Sequence, residues 1–118
     1  MDEGSHSVVT LGLSSVEETR RQMAAAFGGR VQGTRIDFGS IDLLWKVLTA
    51  KRLEILQAMA GQGDMAVREV ARRTGRDVKA VHGDVTALAA AGILDRTASG
   101  KVIFPYDEVR VDFTLKAA

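Results

Sequence analysis

Residues 65–93, MAVREVARRTGRDVKAVHGDVTALAAAGI, decide how the rest of the chain is read. The stretch predicts two helices meeting at a short turn. Val67, Val70 and Ala71 fall at helical spacing on one face of the first helix, and Gly75 breaks it within Arg73-Thr74-Gly75-Arg76. Asp77 is placed to cap the second helix, because its carboxylate can accept N–H groups that the first turn leaves without partners. Val78, Val81, Val85 and Leu88 then recur at i, i+3, i+7 and i+10 as one apolar stripe. Gly92 ends the helix as the residue that tolerates a left-handed cap. Ala71, four positions before the turn glycine, lets the two helices cross closely, the packing need of a helix-turn-helix.

The other side of the second helix carries Lys79, His82, Gly83 and Thr86. These are long or compact polar groups with a gap between them, suited to a DNA major groove. The plainer reading is a helical hairpin with a solvated outer face. The segment C-terminal to the second helix favours the DNA reading. Residues 93–97 (ILDRT) predict a short strand, Ala98-Ser99-Gly100 a tight turn, and residues 101–104 (KVIF) a returning strand. A β-hairpin directly after the second helix is the wing of a winged helix, and Arg96 and Lys101 flank its turn, where phosphates would lie.

With 118 residues the chain is expected to form one domain with a modest core. A hydrophobic content of 46% with 26% charged residues is that of an ordinary globular protein. The absence of cysteine excludes a disulfide framework, a thiolate metal site and a cysteine nucleophile. No apolar run approaches the ~20 residues needed to span a membrane. No basic-then-apolar signal pattern opens the sequence, so a cytoplasmic location is expected. The net charge of +1 says little, but its distribution says more. Residues 65–101 hold seven Lys/Arg against four Asp/Glu, whereas residues 1–40 hold four against five. The positive excess falls in the hairpin and wing, where a phosphate-binding surface needs it.

Elsewhere the pattern alternates between strands and helices. Residues 7–13 (SVVTLGL) predict a strand with Val9, Leu11 and Leu13 on one side. Ser14 or Ser15 then caps a helix with Glu17 and Glu18 in its first turn, Val16, Met23 and Phe27 on one face, and Gly28-Gly29 as its stop. Residues 31–38 hold a turn at Gly33 and a strand with Ile36 and Phe38 on one side. A helix over 41–47 follows Ser40, and Thr49 starts another whose core-facing run is Leu53, Ile55, Leu56 and Met59. Trp45, the only tryptophan, reads as a core or subunit-contact residue. After a turn at Pro105, residues 109–115 alternate Val109, Val111, Phe113 and Leu115 against Arg110, Asp112 and Thr114, the pattern of a half-buried strand. The strands outside the wing either form a small sheet beside the helices or pair across a dimer.

Several runs together resemble a known family. They are Leu44-Trp45-Lys46-Val47-Leu48-Thr49-Ala50-Lys51-Arg52, Val70-Ala71-Arg72-Arg73, Gly75-Arg76-Asp77-Val78-Lys79 and Val81-His82-Gly83-Asp84-Val85. With them go Gly92-Ile93-Leu94, Phe104-Pro105-Tyr106-Asp107 and Val111-Asp112-Phe113. The whole resembles small prokaryotic transcriptional regulators, winged-helix DNA-binding proteins distantly similar to MarR-type repressors. The resemblance implies a toxin-gene neighbour and hence an antitoxin that represses its own operon.

The expected fold class is therefore α+β: a winged helix-turn-helix with an N-terminal strand-helix-strand leader and a C-terminal strand. Residues 1–40 form the leader, for dimerisation or partner contact, and residues 41–118 the DNA-binding domain with the last strand. The expected function is sequence-specific double-stranded DNA binding as a regulator, with the helix at about 78–91 in the major groove. Lys79, His82, Gly83 and Thr86 would meet base edges, and Arg72, Arg73, Arg76, Arg96 and Lys101 would hold phosphates. Lys79 also suits a phosphate, and Asp84 suits a salt bridge to a nearby arginine. A single winged helix offers little interface, so a homodimer on a palindromic site is expected.

An enzyme is not expected. His6 and His82 stand far apart, and no HxxxH, DxD or P-loop pattern occurs. No cofactor or metal site is expected. The competing reading is a protein-interaction module that neutralises a toxin partner through its N-terminal or C-terminal strands, with DNA binding secondary.

Overall fold

Val9 and Leu11 stand two apart on an extended segment and are both fully buried, which marks the middle strand of a sheet. The computed structural model describes residues 7–14, 34–114 and 117. In it β1 (Val8–Leu13) lies between β2 (Thr34–Phe38) and β5 (Glu108–Asp112), parallel to both. The register sets Val9 opposite Thr34 on one side and Val109 on the other, and Leu11 opposite Ile36 and Val111. The strands that could have paired across a dimer thus form a sheet within one chain. This sheet also joins the two parts expected from the sequence, since β1 belongs to the leader and β5 to the last strand. Gly12 allows the close fit: a Cβ there would sit 2.7 Å from the Asp112 carbonyl oxygen and 2.7 Å from the Arg35 guanidinium. The leader helix expected after Ser14 or Ser15 lies outside the described residues, as does Leu115.

Four helices follow among the described residues. The first, α1 (Ile41–Val47), begins at Ser40, whose hydroxyl accepts from the Leu43 N–H. It is followed by α2 (Ala50–Met59), where Thr49 accepts from the Arg52 N–H. Leu44 of α1 and Ile55, Leu56 and Met59 of α2 are fully buried. Next come α3 (Val67–Thr74) and α4 (Val78–Ala90), at the positions the sequence predicts. Gly75 joins them with φ +65°, a left-handed conformation that costs glycine nothing, and Asp77 caps α4 by accepting from the Ala80 N–H.

Val70 and Ala71 of α3 and Val81, Val85 and Leu88 of α4 are buried together. Val78 departs from the expected stripe. It lies in the first turn of α4, at the end of the stripe, and is 44% exposed.

The hairpin after α4 is β3 (Asp95–Arg96) antiparallel to β4 (Val102–Ile103), shorter than the strands read from the sequence. Ile93, Leu94 and Phe104 leave the ladder because they fill the core under α4, each almost fully buried. A third segment adds to the pair: Met65 and Val102 exchange backbone hydrogen bonds of 2.8 and 3.0 Å. One apolar cluster runs from Val9 and Leu11 through the four helices to Val102 and Phe104, so the sheet and the helices share a core.

Trp45 lies at the margin of that core. It is 49% exposed, and its ring meets Phe113 edge-on at 5.6 Å between centroids. No helix among the described residues is long and apolar enough to cross a membrane.

Candidate functional site

The buried stripe of α4 fixes which residues it presents outward. Lys79, His82, Gly83 and Thr86 are all exposed, and together they form one outward face. Gly83 sits in the interior of this helix although glycine costs a helix about 1 kcal/mol relative to alanine. Packing among the described residues does not require it: a Cβ on Gly83 would meet nothing within 4 Å there.

The hairpin stands next to this face. Arg96 donates from Nη2 to the Thr86 hydroxyl at 3.3 Å, so one expected phosphate ligand is tied to one expected base-edge residue. Thr86, Ala89, Ala90, Leu94, Asp95 and Arg96 line a shallow groove between α4 and β3. Lys101 is exposed at the far side of the hairpin turn, where Thr97 accepts from its backbone N–H at 3.1 Å.

The arginines expected at phosphates divide into three kinds. Arg96 lies beside α4 and is exposed. Arg72 and Arg73 both donate to Glu69 on their own helix, through Nε at 2.9 and 2.7 Å. Hydrogen bonds from Arg72 and then Arg73 push the Glu69 carboxyl down to about 2, and Glu69 in turn raises the Arg72 pKa. Arg72 still has 70% of its side chain exposed and keeps a donor surface for a further anion; Arg73, at 35%, also donates to Gln62 at 3.1 Å.

Arg76 is different. Its Nη2 donates to Asp84 Oδ2 at 2.8 Å and its side chain is only 16% exposed, so its charge is already committed to holding α4. The sequence expects a phosphate contact at this residue; in the structure it pairs with Asp84.

Asp84 takes the salt bridge expected of it, and a second one as well. Arg52 of α2 donates from Nε to Asp84 Oδ1 at 3.0 Å. The same guanidinium donates from Nη1 to the carbonyls of Lys46 and Val47 at 3.1 Å, at the end of α1. Burial works to raise the Asp84 pKa, but the hydrogen bonds from Arg52 and Arg76 outweigh it and hold the carboxyl below its ordinary value. Arg52 thus orients α4 against α1 and α2. Sequence reasoning missed it, because 32 residues separate the partners; an interior acidic residue on α4 was the available signal.

The segment that carries these parts, from the end of α1 to β5, is also the part that matches a known family model. Residues 47–111, more than half of the chain, match the model HVO_A0114. The chain belongs to the HVO_A0114 family. The matched span holds Arg52, Asp84, all of the exposed α4 face and the hairpin, and it leaves β1 and β2 outside. No curated protein matches the chain. Among the described residues no cluster of His, Cys, Asp or Glu could hold a metal ion.

Proposed function

We propose that this member of the HVO_A0114 family is a sequence-specific double-stranded DNA-binding transcription regulator with a winged helix. In this reading α3, the Gly75 turn and α4 are the helix-turn-helix, α4 is the recognition helix, and β3–β4 with its turn is the wing. One observation carries it: the polar face of α4 is exposed and has at its centre a glycine whose added Cβ would meet nothing within 4 Å among the described residues. A helix that must approach a base pair gains from a missing side chain there. Lys79, His82 and Thr86 around that gap supply donors and acceptors for base edges.

Arg96 and Lys101 on the wing, with Arg72 on α3, supply phosphate contacts that fix register. Arg76 and Arg52 act from behind, by holding α4 through Asp84. The protein works as a homodimer on a palindromic site in the cytoplasm. The resemblance to MarR-type regulators extends the proposal to a repressor, and to an antitoxin that binds a toxin partner as well as its own operator.

The test is capture of fragments of the source genome at physiological salt, followed by titration at two salt concentrations. Lys79→Ala should weaken binding at the selected site about tenfold and leave bulk DNA binding nearly unchanged. Lys101→Ala should weaken all DNA alike and reduce the salt slope by roughly one contact. Selection of no fragment, or equal binding by parent and both variants, refutes the proposal. A protein-interaction role gains its own support from the exposed apolar residues Leu43, Trp45 and Val111, which lie off the α4 face.

A further inference from the structure

We propose that β5 pairs antiparallel with β5 of a second copy, about a two-fold axis through Val111, so that two three-stranded sheets become one of six strands. This names the surface for the homodimer of the preceding reading and takes nothing else from it. The backbone of β5 already leaves one side open. In the parallel ladder Glu108 donates its N–H to the Ser7 carbonyl at 3.1 Å, so residues 108, 110 and 112 turn their backbone groups toward β1. Val109 and Val111 therefore turn theirs outward. Among the described residues no strand lies beyond β5, and such an edge is a template for another chain.

The side chains select the partner and the register. Residues opposite each other in a sheet share a face, so a two-fold axis normal to the sheet must pass through a residue. An axis at Val111 sets Val111 against its own copy as a hydrogen-bonded pair and Val109 against Phe113. It sets Arg110 against Asp112 twice, as non-hydrogen-bonded pairs in which side chains lie closest.

Other registers match less well, on charge or on polarity. An axis at Arg110 opposes Arg110 to itself and Glu108 to Asp112. An axis at Asp112 opposes that carboxylate to itself; one at Val109 pairs Glu108 with Arg110 but sets the apolar Val111 against Asp107. Arg110 and Asp112 are both exposed, and neither has an ion-pair partner among the described residues. Charges usually protect an edge by repelling a second copy, but the order Val-Arg-Val-Asp-Phe is complementary to itself when reversed. The apolar side fits too. Val111 is 40% exposed, and Phe113 carries Trp45, which is 49% exposed.

Sedimentation equilibrium on the full chain tests this, with circular dichroism to confirm folding. The parent should be a dimer at micromolar concentration. Arg110→Asp or Asp112→Arg alone should weaken the dimer about tenfold or more, and the two together should restore it, because each pair is then merely exchanged. Val111→Cys gives a variant test in a chain without cysteine: the hydrogen-bonded pair sets the Cα atoms ~5.5 Å apart, within disulfide reach. Mild oxidation should therefore yield a covalent dimer even if the charge variants fold poorly. A monomeric parent, single reversals that leave the dimer intact, a folded exchange variant that stays monomeric, or no cross-link at residue 111 each overturns the proposal. Lys79-dependent DNA binding by a monomeric parent would leave the DNA reading standing while this one falls.

Discussion

In α4 the chain buries Val81, Val85 and Leu88 completely and leaves a polar face open, whereas β5 leaves Val111 40% exposed at an open strand edge. The two regions are finished to different degrees by the protomer. The helix has its apolar side covered from within, is capped by Asp77 and is clamped by Arg52 and Arg76 through Asp84. What it offers a partner is charge and hydrogen bonding, which suits an anionic, polar ligand. The strand has one edge satisfied by β1 and offers backbone groups, apolar side chains and a self-complementary charge pair, which suits another strand. The difference teaches that the protein carries two separate surfaces, and that damage to one need not reach the other.

The largest expected effect tests that separation through stability. Leu88→Ala empties a fully buried site beneath α4 and should lower unfolding free energy by roughly 2–5 kcal/mol in a denaturant titration. Val111→Ala, at the open edge, should cost the monomer less than about 1 kcal/mol. Equal costs would break the comparison, since β5 would then be as fully packed as α4.

The clamp behind α4 comes next. Asp84→Ala should cost about 2 kcal/mol, because it leaves two largely buried guanidinium groups short of an acceptor. Its pH dependence has a definite sign. The Asp84 pKa is lowered on folding, so below about pH 4 the unfolded chain binds more protons than the folded one. Its contribution is present above the unfolded value and is lost as pH falls through the folded one. Glu69, at about 2 in the fold, acts in the same direction, although its exposure lets salt screen it. Thermal melts between pH 5 and 3 should fall less steeply for Asp84→Asn than for the parent. Identical slopes would remove Asp84 from the account.

The smallest effect is the sharpest. Gly83→Ala should raise stability by about 0.5–1 kcal/mol, since alanine favours the helix and meets nothing there. DNA binding should weaken in the same variant. A gain in both would show that the gap on α4 serves no close approach.

Local chemistry determined much of this molecule from the sequence alone. Gly75, Asp77, Ser40 and Thr49 act within a few residues of themselves, so the helix boundaries they set are visible without any fold. Period 3.6 in Val81, Val85 and Leu88 told which side of α4 is buried and hence which residues face outward. Period 2 told that residues near 9, 36 and 111 lie in strands, but period carries no information about which strand lies beside which. The parallel order β2-β1-β5 unites segments about 100 residues apart, and only the shared core around Val9 and Leu11 decides it. The same holds for charge. Seven cations between residues 65 and 101 could be counted, but only tertiary packing turned Arg76 inward to Asp84, brought Arg52 from α2 to meet it, and left Arg96 and Lys101 outside. A side chain's type is written in the sequence, whereas its partner is set by where the backbone brings distant carboxylates.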